Sequence, residues 1–465
     1  MWRSESLLVG IDAVGEIKAR QGKDQTFDQL SSGKVWLALL ALALGGFAIG
    51  ATEFVAMGLL PNLAGDLLPG LYGESPERAN ARAGWIISAY ALGVVVGAPT
   101  IAAAAAAWPR KKLLLWLLAA FTTGTLASAL LPTFGWVMFA RFIAALPHGA
   151  YFGIASLVAA SLMGPGKRGQ GVAFVLSGLT IANVVGVPAI TWIGQTLGWR
   201  AAYLVVASIF ALTFLAVWAF VPWQPGNPAA TLRGELKAFG RVQVWLTLLI
   251  GSVGFGGLFA VYTYVAPIVT ERTGLSSAAV PWVLVVIGLG MTVGNLAGGR
   301  YADKSVSEAM FVFFAVLIVS LISLALTAWT LVGLLASLFL IGLASAAVAP
   351  TIQTRLMDIA NDSQSIAAAL NHSALNIANS LGAYLGSVTI AAGLGYLSPV
   401  WCGIFLSIAG VSIAAFSFGV ERQRGASRRR IVEARPLLVR DSPGTNSRNF
   451  CSRGNARPHM AGYQA

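Results

Sequence analysis

Glu53 is the only charged residue in an apolar run from Trp36 to Leu60. The run is long enough to cross a bilayer. A carboxylate near mid-membrane costs about 2.5–3.5 kcal/mol on insertion scales, so it must face a protein interior or a wet cavity rather than lipid. At helical spacing Gly46, Gly50, Met57 and Pro61 share its face. Arg141 lies inside a second apolar run, where a guanidinium needs a cavity, backbone carbonyls or an acid. His148 follows seven residues later, two turns along the same helical face. Its ordinary pKa of about 6.5 lets it titrate at physiological pH. These are the strongly ionisable groups expected within the membrane core of the first half. The chemistry open to them is proton binding and release. Each also has a structural reading: a hydrogen-bonded acid, a clamp between helices, or a neutral histidine packed beside Gly149.

The elements that must position them are membrane helices. Of the 465 residues, 57% are hydrophobic and 11% charged, against about 25% charged in soluble domains. Mean hydropathy is +0.74. A soluble fold is excluded. Apolar runs lie near 36–60, 84–107, 113–131, 136–162, 171–194, 199–221, 244–268, 281–299, 309–328, 331–353, 366–393 and 396–419. Six precede a polar stretch and six follow it. The expected division is a cytoplasmic arm over 1–35, a six-helix bundle over 36–221, a central cytoplasmic loop over 222–243, a second bundle over 244–420, and a basic cytoplasmic tail over 421–465. The tail is rich in Arg, Ser, Gly and Asn and is expected to be disordered.

Lys and Arg orient the chain. With the amino terminus inside, the connecting loops on the inner side carry eleven Lys/Arg and those on the outer side four. Both termini are therefore expected on the cytoplasmic side of a plasma (inner) membrane. The net charge of +13 resides largely in loops and tail, where it contacts lipid and solvent rather than nucleic acid. Two cysteines and three scattered histidines suggest neither a disulfide framework nor a metal site.

The halves echo each other. Trp85, Gly93 and Gly97 match Trp282, Gly290 and Gly294 at an offset of 197. Ile181-Ala182-Asn183 and Gly186 match Ile377-Ala378-Asn379 and Gly382 at an offset of 196. Gly50 and Pro61 match Gly256 and Pro267 at an offset of 206. Three matches in register order favour a duplicated six-helix unit, the layout of an alternating-access transporter.

Four stretches carry a family resemblance: Gly50-Ala-Thr-Glu53-Phe-Val-Ala-Met57-Gly-Leu-Leu-Pro61; Arg141-Phe-Ile-Ala-Ala-Leu-Pro-His148-Gly149-Ala-Tyr151-Phe-Gly153; Ala182-Asn183-Val-Val-Gly186-Val-Pro188 with Gly198-Trp-Arg200; and Gly298-Gly-Arg300-Tyr-Ala-Asp303-Lys304. Over about 35–420 the chain resembles the major facilitator superfamily. Within it, it is most similar to the twelve-helix drug:proton antiporters, in the branch of arabinose/sugar-efflux and chloramphenicol-efflux permeases. The resemblance implies an all-α membrane protein of twelve helices in two six-helix repeats. It places Arg141 on the fourth helix against the central cavity, and Gly178, Gly186 and Pro188 in the antiporter kink of the fifth. The loop after the second helix departs from the family: Gly97-Ala-Pro99 runs into alanines and Pro109-Arg-Lys-Lys112 without the usual acid.

The expected function is proton-coupled efflux of a small organic molecule, with protons as the coupled ion and neither enzyme activity nor cofactor. Glu53, Arg141 and His148 are the expected coupling residues. The expected cavity residues are Met57, Tyr90, Tyr151, Asn183, Tyr262, Tyr264, Asn371, Asn376 and Asn379, any of which can instead join helices. Gly97, Gly178, Gly186 and Pro188 are expected packing and bending points, and Arg300 with Asp303 a cytoplasmic latch. A monomer is expected. A sugar uniporter or proton symporter is the nearest competing reading. A non-transporting membrane sensor is a more distant one, and no signalling domain is visible for it. A membrane enzyme would need a nucleophile–base or metal cluster, and none is visible.

Overall fold

The computed structural model describes residues 31–104, 108–164, 167–226, 240–302, 304–360 and 364–438. It is helical throughout, with no strand among the described residues. The backbone reason is that a segment in hydrocarbon must satisfy its own N–H and C=O groups. Among the described residues eleven helices are long and apolar enough to span a membrane: α1 Ser32–Gly58, α2 Pro76–Ile101, α3 Arg110–Leu130, α4 Phe134–Met163, α5 Gln170–Leu197, α6 Trp199–Phe220, α7 Val242–Tyr262, α8 Ser277–Ala302, α9 Val306–Thr327, α10 Leu331–Ile359 and α12 Ser398–Gln423. The twelfth, α11, is Gln364–Ala391. It is the polar one, carrying Asn371, His372, Asn376 and Asn379. The twelve-helix, two-repeat architecture expected from sequence is the one observed.

Local chemistry sets several ends and breaks. Ser305 caps α9, its hydroxyl accepting from the Glu308 N–H at 3.3 Å. α4 breaks at Leu146–Pro147 into Phe134–Ala145 and His148–Met163. Pro147 has no N–H to continue the ladder. Both residues at the break keep right-handed helical backbone, and Arg141 and His148 both face Tyr90 of α2 and the Thr52–Glu53 turn of α1. In α5 a π-helical turn over Ala182–Gly186 precedes Pro188, with the Val187 N–H bonded back to the Ala182 carbonyl. Proline withholds the donor that the Val184 carbonyl would otherwise meet, and a widened turn absorbs the loss.

The duplication seen in sequence recurs in packing. A Cβ on Gly93 would overlap the Phe142 carbonyl oxygen of α4, and one on Gly290 would overlap the Phe339 carbonyl of α10. The same holds one turn on, for Gly97 against Leu146 and Gly294 against Leu343. α2 and α8 thus press backbone to backbone on α4 and α10, which only glycine permits.

The halves meet chiefly through α2 on α11 and α5 on α8. Asn80 Nδ2 donates to the Tyr396 hydroxyl at 2.8 Å, Trp85 Nε1 to Ser387 Oγ at 3.0 Å, and Gln195 Nε2 to the Ser277 carbonyl at 3.1 Å. Ser88 Oγ donates to the Ser380 carbonyl at 3.3 Å. These bonds gather at the end where α1 runs into the short helices Leu60–Leu67 and Pro69–Glu74. Tyr396 lies in the loop between α11 and α12. Burial pushes its phenol up to about 12, so it stays neutral and the Asn80–Tyr396 bond does not itself sense pH in the physiological range.

The tail expectation needs correction. Helix continues from Ser398 as far as Leu438 rather than stopping at Glu421. Arg, Glu, Gln, Ala and Leu are good helix formers, and charge does not oppose a helix already nucleated upstream. The chain divides into two units, Met1–Ser417 and Phe418–Ala465. The expected arm up to residue 30, most of the central loop, and residues 439–465 lie outside the described residues.

Candidate functional site

The site forms where α1, α4 and α11 converge. Glu53 is buried on α1, 7% exposed, and is surrounded on its own helix by Gly50, Ala51, Thr52 and Ala56. Small neighbours let α5 approach, with Gly46 against Val175 and Gly50 against Leu179. From α4, His148 Nε2 comes to 4.0 Å from Glu53 Oε2. From α11, in the other half, Asn379 Nδ2 reaches Glu53 Oε1 at 3.5 Å. Behind His148, its Nδ1 and the Tyr90 hydroxyl of α2 are 3.3 Å apart.

Arg141 is fully buried, but the acid is not its partner. Its Nη1 donates to Thr52 Oγ1 at 2.8 Å and its Nη2 to the Thr52 carbonyl at 2.7 Å. The guanidinium lies over the Tyr90 ring at 4.1 Å and the Tyr203 ring at 5.1 Å. Two charge-assisted bonds and two aromatic faces hold the cation. Arg141 thereby fixes the turn of α1 next to Glu53 instead of lining the cavity.

Glu53 and His148 open into a cavity of about 160 Å³ shared with Asn183, Asn295, His372 and Asn376 and walled by Phe54, Phe255, Phe259 and Met291. Both halves contribute to it. Such a space can bind a small amphipathic molecule through ring faces and amides, beside a carboxyl able to carry a proton. A larger groove of about 590 Å³ lies between α2, α4 and α11, lined by residues such as Trp85, Phe139 and Tyr384. It contains no charged side chain, and we do not assign it the chemistry.

Among the expected cavity residues, Asn183 and Asn376 line this space and Asn379 contacts Glu53 directly. The others lie outside that lining. Met57 is fully buried. Tyr90 braces Arg141 and His148. Tyr151 donates to the Leu42 carbonyl at 2.9 Å, and Tyr264 to the Ala383 carbonyl at 2.8 Å. Tyr262 packs on Phe54 at 5.5 Å, and Asn371 is buried away from the cavity lining. The phenols of Tyr151 and Tyr264 are thus taken up by carbonyls of neighbouring helices.

Of the expected bending points, Gly178 meets α1 at the Ala43 carbonyl, Gly186 meets Phe47, and Gly97 meets α4. Pro188 follows the π-helical turn. Of the expected latch, Arg300 Nη1 donates to the Leu296 carbonyl of its own helix at 3.4 Å. Asp303 lies outside the described residues.

Thr52, Asn295 and His372 escape the sequence reading. Thr52, the anchor of Arg141, is an ordinary intrahelical threonine with no distinguishing pattern. His372 had a signal: with Asn376 and Asn379 it forms an i, i+4, i+7 polar stripe on one face of α11.

Comparison with known proteins gives one answer. The family model described as Major Facilitator Superfamily matches residues 42–383 and 265–446. The inner membrane transport protein YdhP of Escherichia coli is 37% identical over 377 residues, covering 81% of this chain and 95% of that protein. The chloramphenicol resistance protein of Streptomyces lividans is 33% identical over 387 residues, covering 82% and 96%. In fold, the chain resembles the crystal structure of a D-xylose–proton symporter with a TM-score of 0.65 at 16% identity, covering 81% of this chain and 97% of that one. With this family match, these relatives and two six-helix repeats around a shared cavity, the chain belongs to the Major Facilitator Superfamily of multi-pass membrane transporters.

Proposed function

We propose that the protein is a proton-coupled efflux transporter, exchanging protons for a small organic molecule such as a drug or sugar by alternating access. The observation that carries this reading is Glu53, a buried carboxyl opening into a cavity that both halves line. A group between two rocking halves meets water first from one side and then from the other. Burial in a dry phase favours the protonated carboxyl, and water or a cation favours the ionised one. A molecule seated on Phe54 and Asn376 would compete for the space beside Glu53 and select its ionised form. Competition of this kind gives exchange. Efflux rather than uptake is supported by the likeness to a chloramphenicol resistance protein. The transporter works as a monomer without a cofactor, its energy drawn from the proton gradient.

The test is proton release on binding. Ligands are first found by thermal shift over a panel of antibiotics and sugars. Each is then added to solubilised protein in weakly buffered solution containing a pH dye. The expected result is release of about one proton per ligand bound, since a single carboxyl is displaced from its proton. A ligand that raises the melting temperature and releases no proton between about pH 5 and 9 overturns exchange and favours a uniporter.

Orientation follows the Lys/Arg asymmetry, and we place both termini in the cytoplasm. Single cysteines introduced at Glu74 and at Arg233 in a cysteine-free background report it. An impermeant maleimide applied to spheroplasts labels the Glu74 position and not the Arg233 position. Labelling of Arg233 alone, or of both, reverses or breaks this topology.

A further inference from the structure

His372 stands in the same cavity as Glu53 but on the opposite half of the molecule. Its ring lies flat on Phe152 of α4, with centroids 5.4 Å apart and planes at 0°. The His148 ring centroid is 6.2 Å away. No hydrogen-bond donor or acceptor among the described residues engages the His372 ring nitrogens, although Asn376 bonds its backbone carbonyl at 3.0 Å. The side chain is only partly buried, so water entering the cavity reaches it. A neutral imidazole that faces a cavity and has an unclaimed nitrogen is built to take a proton.

The surroundings decide what that proton would do. Within the cavity lining the titratable side chains are Glu53 of α1, His148 of α4 and His372 of α11. α5, α7, α8 and α10 contribute only apolar, hydroxyl or amide groups. Behind α1, Arg141 is tied to Thr52. Tyr90 is the remaining polar contact of His148. The cluster thus holds one potential negative charge and two potential positive ones. With Glu53 ionised, the fixed Arg141 cation beside it already balances its charge, and a protonated histidine adds net positive charge. A second leaves two imidazolium rings facing each other across the boundary between the halves.

We propose that His372 is a second proton-binding residue of the coupling site, contributed by the opposite half, whose protonation works against His148 to part α4 from α11. The proton is taken by a ring nitrogen from cavity water or from the Glu53 carboxyl, and returned to water when the cavity opens. Phe152, which touches both rings, is the spacer that sets their separation. This assignment rests on the proton-coupled reading above.

The test compares wild type with His372→Gln and His372→Phe in proteoliposomes, measuring substrate exchange from about pH 5 to 8. Gln keeps a hydrogen-bonding end and Phe keeps the stack on Phe152. Neither carries a proton. Two cooperating proton sites allow a limiting slope approaching about two decades of rate per pH unit, and one site about one decade. We expect the steep slope in wild type and the shallow one in both variants, with melting temperature retained. A steep slope that persists in both variants overturns the assignment while leaving proton coupling intact. A wild type without pH-dependent exchange overturns the coupled reading and this assignment with it. Should neither variant reach the membrane, the wild-type histidine NMR signals decide. His459→Gln and His148→Gln assign the His372 resonance by exclusion. A resonance that does not titrate over the same range overturns the proposal, and one that does supports it.

Discussion

Glu53→Gln abolishes uphill export and leaves ligand binding measurable. Glutamine keeps the shape of the side chain and an oxygen for Asn379 to donate to, so the 3.5 Å link between the halves survives. What it loses is the exchangeable proton. In one-for-one exchange, each pH unit across the membrane supplies about 1.4 kcal/mol, or a tenfold accumulation ratio. The variant should bring that ratio to about one at any imposed pH difference, with downhill counterflow persisting. Removing a buried charge should also leave the melting temperature level or higher, since the acid is costly in this environment. Proteoliposomes with an imposed pH gradient provide the measurement. Uphill accumulation by the Gln variant would make Glu53 structural. The coupling role would then pass to His148 and His372, the titratable groups that share its cavity.

Arg141→Lys should be nearly as damaging, for a different reason. The guanidinium reaches the hydroxyl and the carbonyl of Thr52 at once, at 2.8 and 2.7 Å, while its plane meets two tyrosine rings. A lysine carries the same charge as a point and cannot reproduce the fork. Hydrogen bonds to charged groups contribute about 1.5–3 kcal/mol each, and lysine can restore one of the two. We expect a stability loss of about 2 kcal/mol and transport reduced at least tenfold. The number of protons moved per substrate should stay unchanged, because Thr52 and not Glu53 is the partner. Thermal denaturation and stoichiometry measured on the same vesicles separate the outcomes. Full transport with lysine would show that α1 does not need the clamp. A changed stoichiometry would move Arg141 into the coupling chemistry itself.

These expectations draw on two kinds of information. Much of the fold was legible in the residues because membrane physics acts on contiguous segments. Each apolar run has to become a helix on its own account, and a charge inside one has to find protein or water. That reasoning reached the twelve helices, the duplicated unit, and the presence of Glu53, Arg141 and His148 inside apolar segments without any knowledge of contacts. The repeat was legible for the same reason: Gly93 with Gly97 and Gly290 with Gly294 are required by backbone approach, so the requirement is written twice.

Pairing was not legible. Glu53 and Asn379 are 326 residues apart, and spacing along the chain carries no information about who meets whom across a bundle. Arg141 was expected to meet an acid, carbonyls or a cavity. Only the crossing of α4 and α1 selects the threonine one residue before the acid. Tyr151 and Tyr264 were as plausible in the cavity as Asn376. Their hydroxyls are claimed by carbonyls of neighbouring helices because those helices pack on glycines, Gly45 under Tyr151 and Gly84 under Tyr264. Pro147 breaks the hydrogen-bond ladder of α4 between Arg141 and His148, and only the packing shows that both still face Tyr90. The sequence by itself determined which segments span the membrane and which ionisable groups they carry, since those follow from the transfer of each segment into a dry phase. The tertiary structure alone decided which of those groups share one cavity, since that depends on how closely neighbouring backbones can approach.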